Sequence, residues 1–177
     1  HKEDNTFELH TEANICFQTR TVVIAAGLGA FKPRPLRLDG IDQFEQTNLH
    51  YHVADKLQFK DKKVVILGGG DSALDWVLEL AVVAKHVHIV HRRNEFRAAP
   101  ASVAKMHELI DDPNQPVSCL VGRIPSYQSD QGRITAIDVA PFGDGEPQRI
   151  DLDELLVFYG LSPDLGPIAD WGLDIER

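Results

Sequence analysis

The chain has 177 residues, a net charge of -9, 43% hydrophobic and 25% charged residues, the composition of an ordinary globular protein. This acidic balance argues against nucleic acid as a partner, because a phosphate backbone attracts a broad basic surface. No apolar run approaches the roughly 20 residues of a membrane span. The chain begins at His1 without an initiator methionine, so we expect a part excised from a longer protein.

The first predicted elements are two strands of alternating pattern, at 7–11 and 15–19. An apolar run at 21–26 follows and has the composition of a buried strand. The glycine-rich turn at 27–30 comes next, but the two prolines directly after it oppose a helix. We therefore expect this turn to be a crossing between two domains and not a phosphate site, with the mixed residues 36–60 forming loops.

A second glycine-rich turn has a different context. A buried-type strand at 64–67 runs into Gly68-Gly69-Gly70-Asp71-Ser72-Ala73, and the apolar spacing after it predicts a helix to about Ala84. A Gly-x-Gly-x-x-Gly/Ala run between a strand and a helix is the fingerprint of a dinucleotide-binding turn. The glycines alone fit a tight turn without a ligand equally well. The order of strand, glycines, helix and strand favours the dinucleotide, and we predict that all six residues bind it.

Each position of this turn has a physical role. Gly68 permits the tight turn, and Gly70, which lacks a Cβ, lets the backbone approach a diphosphate. Ala73 is small enough for the helix and the strand to pack closely. Unpaired N–H groups at the helix start favour an anion. Asp71 and Ser72 are good N-cap types, and we expect the Asp71 carboxylate to turn back onto the backbone.

The end of the next predicted strand, at 87–90, distinguishes between the two nicotinamide cofactors. An NAD site places Asp or Glu there, to bind the ribose 2′-hydroxyl. Here His91-Arg92-Arg93 stands 21 positions after Gly70, and Arg97 follows. Guanidinium groups supply the fixed charge and planar donors that a 2′-phosphate requires. We predict an NADP site, with a solvated basic loop as the alternative.

The remaining pattern completes an α/β fold. A helix is predicted at 100–110, strands at 117–121 and 134–139, and a turn at 143–145 that leads back to Ile150. The apolar run at 155–159 is typical of a central parallel strand, which Gly160 ends at the carboxyl edge where ligands bind. We predict a Rossmann-like dinucleotide-binding domain with a parallel sheet and an inserted antiparallel β-meander.

The other chemically reactive residues give weaker indications of function. Cys16 and Cys119 lie far apart in apolar surroundings, so we expect buried reduced thiols and a cytoplasmic location. His86 and His88 share a strand face but have no third ligand at a convincing position, so we predict no metal site. The paired acids at 111–112 and 151–154 lie at a helix end and a turn, where solvated acids are usual. We name no catalytic acid or base.

The chain resembles a known family. The glycine turn, together with His91-Arg92-Arg93 and Arg97-Ala98, resembles the NADPH domain of thioredoxin-reductase-like flavoproteins. Three further segments, at 26–34, 72–76 and 160–173, are similar to the ferredoxin/flavodoxin–NADP+ reductases of that superfamily. One departure is clear, since thioredoxin reductase has a redox Cys-x-x-Cys upstream of the glycine turn and the stretch 49–55 has no cysteine. Dithiol relay chemistry is therefore not expected.

The resemblance implies a flavoprotein in which NADPH reduces FAD and FAD passes electrons to ferredoxin or flavodoxin. It implies that Phe31 touches the flavin and that Gly160 lies near the nicotinamide half. It divides the chain into a 46–160 NADPH-binding domain and two segments of a flavin domain, 1–45 and 161–177. The chain alone is expected to be inactive, because it lacks the flavin site. A homodimer is implied for the intact protein. Two alternatives stay open: a non-catalytic NADP-binding module and a thioredoxin-reductase-like enzyme with another acceptor.

Overall fold

The computed structural model describes residues 6–25 and 30–174. The chain divides into two units, of which the first comprises His1–Phe31 and Pro163–Arg177 and the second comprises Lys32–Ser162. The assignment of residues 1–45 and 161–177 to a flavin domain stays a prediction. In the described ranges no helix is both long and apolar enough to cross a membrane.

The first unit contains a two-stranded antiparallel hairpin, and the second contains an α/β core. Short 3-10 helices lie at Ile41–Phe44, Lys56–Phe59 and Gly166–Asp170. The strands are β1 Phe7–His10, β2 Cys16–Thr19, β3 Ala30–Pro33, β4 Leu49–His50, β5 Lys63–Gly68, β6 His86–His91, β7 Val117–Val121, β8 Arg123–Asp130, β9 Arg133–Ala140, β10 Gln148–Asp151, β11 Glu154–Phe158 and β12 Leu161–Asp164, and the helices are α1 Asp71–Leu80 and α2 Pro100–Asp111.

The centre of the second unit is a parallel sheet with strand order β4-β11-β5-β6-β7. The chain first proceeds from β5 through α1, β6 and α2 to β7, which lies on one edge. It then returns to the other side of β5 and forms β11. The predicted Rossmann-like parallel sheet, its central strand and an antiparallel meander inserted before that strand are confirmed, but the meander consists of β8, β9 and β10, and β7 belongs to the parallel sheet.

Successive side chains of the central strands point to opposite faces of the sheet, so the core has three layers: the meander, the parallel sheet and the helices. Val65 and Leu67 face the meander, where they pack with residues such as Ile137. Val64 and Ile66 face the helices, in the cluster that holds the buried side of α1. Strands buried on both faces read as continuous apolar runs, which is why β5 and β11 have no polar alternation.

Asn48 ties the meander to the parallel sheet. Its side chain is fully buried, and its amide donates to the carbonyls of Ile134 at 2.7 Å and Asp153 at 2.8 Å. Its side-chain oxygen accepts from the Ile134 N–H at 3.0 Å. Every polar atom of this side chain is therefore paired, which offsets the cost of burying it.

Glu154, which begins β11, is also a buried polar residue of the core. Its carboxylate accepts hydrogen bonds from Lys62 at 2.7 Å and Arg133 at 3.0 Å, and lies 2.7 Å from His50 Nε2. Burial by itself would raise the pKa of Glu154, but the hydrogen bonds and charges of His50 and Lys62 outweigh it and lower that pKa. The carboxylate is therefore ionised at neutral pH and anchors three cationic or polar side chains.

One predicted strand is wrong. The described part of the apolar run, 21–25, forms no strand, and Val23 is 84% exposed. Residue 26 and the glycine turn at 27–29 lie outside the described residues. A strand requires a neighbour to pair its backbone groups, and no described segment supplies a ladder to this run.

One element boundary and one strand also differ from prediction. Helix α1 ends at Leu80 and not at Ala84, because the N–H groups of Val83 and Ala84 bond to the Leu80 carbonyl in a closing turn. Strand β8 was not predicted at all. It is polar, contains Pro125 and pairs with β9 through two irregularities of register, so its pattern does not alternate cleanly.

The cysteine prediction was partly wrong. Cys16 is exposed on the first unit's hairpin, because both faces of β2 are largely open to solvent. Cys119 is partly buried on β7, and burial raises the pKa of its thiol. The apolar neighbours of Cys16 in the sequence therefore did not indicate a core position.

Replacing Glu154 by glutamine should lower the free energy of unfolding by about 2 kcal/mol at pH 7, because charge-assisted bonds from partly exposed partners are lost. A lowered folded-state pKa contributes stability above the ordinary value of 4.5, and this contribution disappears as pH falls through the folded-state value. The free energies of unfolding of the two proteins, measured by denaturant titration, should therefore converge in acid. The exposed Glu146→Gln serves as the control and should change little. A difference that stays constant from pH 7 to pH 3 would contradict the role of the charge.

Candidate functional site

The candidate site lies at the carboxyl edge of the parallel sheet. The sequence order of the strands reverses between β5 and β11, which makes their carboxyl ends a topological switch point. The glycine turn follows β5, His91 ends β6, and Tyr159 and Gly160 follow β11. The fold therefore brings the predicted residues after three different strands to one edge.

The backbone at Gly68 is packed too closely for a side chain. A Cβ there would lie 2.6 Å from the Phe158 carbonyl oxygen and 2.9 Å from the Cβ of Ala73. Its φ of +154° lies outside the range that other residues adopt readily. The roles expected for Gly68 and Ala73, a tight turn and close packing of helix on strand, agree with this geometry.

Beside Gly70 the structure leaves open space. A Cβ on Gly70 would meet no atom within 4 Å. Gly70 is the N-cap of α1, and no side chain caps the helix. The N–H groups of Ala73 and Leu74 bond to the Gly70 carbonyl, whereas those of Asp71 and Ser72 form no hydrogen bond with the described residues. Open space next to unpaired donors and a positive helix end suits a diphosphate.

The loop after β6 is attached to the glycine turn by two hydrogen bonds. The Arg97 N–H donates to the Gly69 carbonyl at 2.7 Å, and the Ala99 N–H donates to Asp71 Oδ1 at 2.7 Å. The Asp71 carboxylate therefore does bond to a backbone group, but on this loop and not on its own helix. Its position explains why an acid is compatible with an anion site, since one of its oxygens is engaged away from the turn.

The His91 ring packs directly against the glycine turn, where a Cβ on Gly69 would overlap it. It also stacks on Phe96, with ring centroids 5.1 Å apart. Burial lowers the pKa of His91, and the nearby Arg92, Arg93 and Arg97 lower it further, against a hydrogen bond to the Glu95 backbone. His91 is therefore mostly neutral at pH 7 and supplies shape more than charge.

The positive charge of this loop belongs to three arginines. Arg92, Arg93 and Arg97 are all exposed. Within residues 6–25 and 30–174, none of them forms an ion pair with a carboxylate. Three unneutralised guanidinium groups next to a helix start form a strong local anion site in a chain whose net charge is -9.

Two tyrosines at this edge were missed in the sequence. Tyr159 is 42% exposed, yet burial around its hydroxyl, with Tyr51 nearby, raises its pKa to about 12 against the opposite effect of Arg92. The Tyr51 hydroxyl accepts from the Leu36 N–H at 3.0 Å. The position of Tyr159, directly after a buried strand and before Gly160, was the signal available in the sequence.

The predicted site residues Gly160 and Phe31 lie in different structural surroundings. Gly160 has a φ of +89°, its carbonyl accepts from the Arg34 N–H at 3.0 Å, and the space beside its Cα is open. Phe31 belongs to the first unit, on β3, and is 55% exposed.

The profile of the family described as pyridine nucleotide-disulphide oxidoreductase matches residues 1–113, more than half of the chain. The chain belongs to this family. Among curated relatives, it is 51% identical to a protein named ferredoxin–NADP reductase 2 from Cupriavidus taiwanensis, over 99% of the chain and 47% of the relative. It is 49% identical to a ferredoxin–NADP reductase from a Polaromonas species, over 99% of the chain and 48% of the relative.

Solved structures of thioredoxin reductases share the fold of this family member. The enzyme from Lactococcus lactis superposes with a TM-score of 0.78 at 21% identity, over 97% of the chain and 54% of that structure. The enzyme from T. acidophilum gives a TM-score of 0.78 at 20% identity, over 99% and 55%. The chain spans about half the length of the curated relatives it matches.

Replacing Asp71 by alanine should loosen the arginine loop, because the Ala99 N–H loses its acceptor. We expect tryptic cleavage after Arg92, Arg93 and Arg97 to become about five- to tenfold faster, the equivalent of roughly 1–1.4 kcal/mol in local opening. Mass spectrometry of timed digests measures these rates. Asp71→Asn keeps an accepting oxygen and should cleave nearly like the wild type, as should the exposed control Asp75→Ala. Equal rates in all four proteins would show that this bond does not hold the loop.

Proposed function

We propose that the chain is the NADPH-binding part of a flavoprotein ferredoxin–NADP reductase. The observation that carries this proposal is the loop of three exposed arginines tied to the glycine turn, at the position where an NAD site needs a carboxylate. The names of the curated relatives, at about half identity over nearly the whole chain, support the same function.

The residues present suit a nicotinamide dinucleotide phosphate. The open space beside Gly70 and the uncapped start of α1 would receive the diphosphate. Gly69 leaves room for the His91 ring, which together with Phe96 would line the part of the site that binds the adenosine. The three arginines would bind the 2′-phosphate, and Ser72, exposed in the first turn, would donate to the diphosphate.

NADPH held by these residues would supply a hydride, and FAD in the intact protein would supply the change to one-electron chemistry that an iron–sulfur protein or flavodoxin requires. The chain's own residues bind and orient, and none is proposed as an acid or base. Gly160 would lie near the nicotinamide half, because it closely follows β11, the strand next to β5, at the switch point. Tyr159, neutral at every physiological pH, would shield that half from water without adding charge. Phe31 is proposed to touch the flavin.

We propose ferredoxin as the electron acceptor, with flavodoxin as a second acceptor. We also propose that the intact protein is a homodimer and is located in the cytoplasm. Thioredoxin reductases share the fold, but the stretch 49–55 of this chain has no Cys-x-x-Cys to relay electrons through a dithiol, which disfavours a thioredoxin-like acceptor. Reductase assays of the full-length protein with ferredoxin, flavodoxin and thioredoxin separate these acceptors.

Replacing Arg92 and Arg93 together by alanine should weaken NADPH binding by at least tenfold, because each charge-assisted contact contributes about 1.5–3 kcal/mol. NADH binding should change by less than about threefold, since NADH has no 2′-phosphate. Calorimetric titration of the full-length protein with both cofactors measures the two constants. Lys105→Ala removes an exposed cation from α2 and serves as the control. Equal losses for NADPH and NADH would refute the assignment of these arginines.

Replacing Gly70 by alanine separates binding from folding. The backbone of Gly70, with a φ of -101°, accepts an alanine, and the new methyl group meets no protein atom within 4 Å. Thermal stability should therefore stay near the wild-type value, while NADPH and NADH both bind at least tenfold more weakly because the methyl group occupies the diphosphate space. Unchanged affinity for both cofactors in a stable variant would place the diphosphate elsewhere.

A further inference from the structure

The hairpin of the first unit brings three different metal-ligand types onto one face. Glu8 and His10 are two residues apart on β1, so their side chains point to the same side. Cys16 on β2 lies directly opposite His10 in the antiparallel register. The pairing of the strands therefore holds a carboxylate, an imidazole and a thiol together.

The ligand atoms of these three residues lie close to one another. The carboxylate oxygen, the imidazole nitrogen and the sulfur all fall within 4.8 Å of each other, in the one such group found among the described residues. His10 Nε2 already lies 2.8 Å from Glu8 Oε1. Both His10, 68% exposed, and Cys16 are open to solvent, so an ion reaches the cluster without rearrangement of a core.

We propose that Glu8, His10 and Cys16 form a zinc-binding site. Zn²⁺ binds oxygen, nitrogen and sulfur at about 2.0–2.3 Å, which places tetrahedral ligand atoms roughly 3.5 Å apart. Rotations of the exposed His10 and Cys16 side chains and of the partly buried Glu8 side chain would bring the ligand atoms to this arrangement. A carboxylate and a thiolate together neutralise the charge of the ion, and water completes the fourth position. The sulfur and imidazole disfavour Mg²⁺ and Ca²⁺, which prefer oxygen.

The sequence did not indicate this site, and we predicted none. Glu8, His10 and Cys16 have no spacing typical of a metal motif, and Cys16 was expected to be buried. Only the register of β1 with β2, which pairs His10 with Cys16, creates the cluster.

Calorimetric titration of the metal-free full-length protein with Zn²⁺ tests the proposal. We expect binding of one ion per chain with release of a proton from the thiol, and at least tenfold weaker binding in both Cys16→Ala and His10→Ala. Cys119→Ser and His107→Ala remove the same ligand types elsewhere and should leave the affinity unchanged. Circular dichroism shows whether each variant folds, which is expected for exposed hairpin positions.

Cobalt gives a second readout that does not depend on affinity. Co²⁺ added to the full-length protein should produce a thiolate-to-cobalt absorption band that disappears in Cys16→Ala and persists in Cys119→Ser. Zinc affinities that are the same in the wild type, Cys16→Ala and His10→Ala would overturn the proposal. A cobalt complex without a thiolate band, or no binding of one zinc ion per chain, would overturn it as well.

Discussion

The contact on which the candidate site depends is the approach of Gly68 to the Phe158 carbonyl. At this point β5, β11 and the start of α1 meet with no room for a Cβ. The close contact fixes where the glycine turn leaves the sheet, and thereby where the helix start and the open space beside Gly70 lie. A larger residue at 68 would separate the strands and displace the helix, and the proposed diphosphate position would be lost with them.

The two edges of the parallel sheet have different physical tasks. At the amino edge, Glu154 and the nearby Asn48 satisfy buried charges and amides completely, and these contacts hold the meander onto the sheet. At the carboxyl edge, the three guanidinium groups form no ion pair and the first two N–H groups of α1 form no hydrogen bond among the described residues. Polar groups whose hydrogen bonds are all made within the protein stabilise the fold, whereas polar groups without a protein partner are available to a ligand.

The sequence was most informative where local pattern and tertiary structure agree. The run from Val64 to Ala73 combines an apolar strand, a glycine turn and a periodic helix, and the structure confirms all three. It was least informative where a residue's setting depends on distant partners. The bond from Asp71 to Ala99, the pairing of His10 with Cys16 and the exposure of the 21–25 run all follow from register or neighbours. Strand β8 could not be predicted, because its polar sequence contains a proline and does not alternate between apolar and polar residues.

The insertion of the meander between β7 and β11 has a consequence for the way the chain assembles. Strand β11 lies in the middle of the sheet, between β4 and β5, yet it is synthesised after the helices and the whole antiparallel layer. Until it arrives, one edge of β5 presents unpaired backbone groups to any other extended chain. Long-range parallel pairing of this kind is slow, so the nascent protein passes through a state that is prone to aggregation and suited to protection by chaperones.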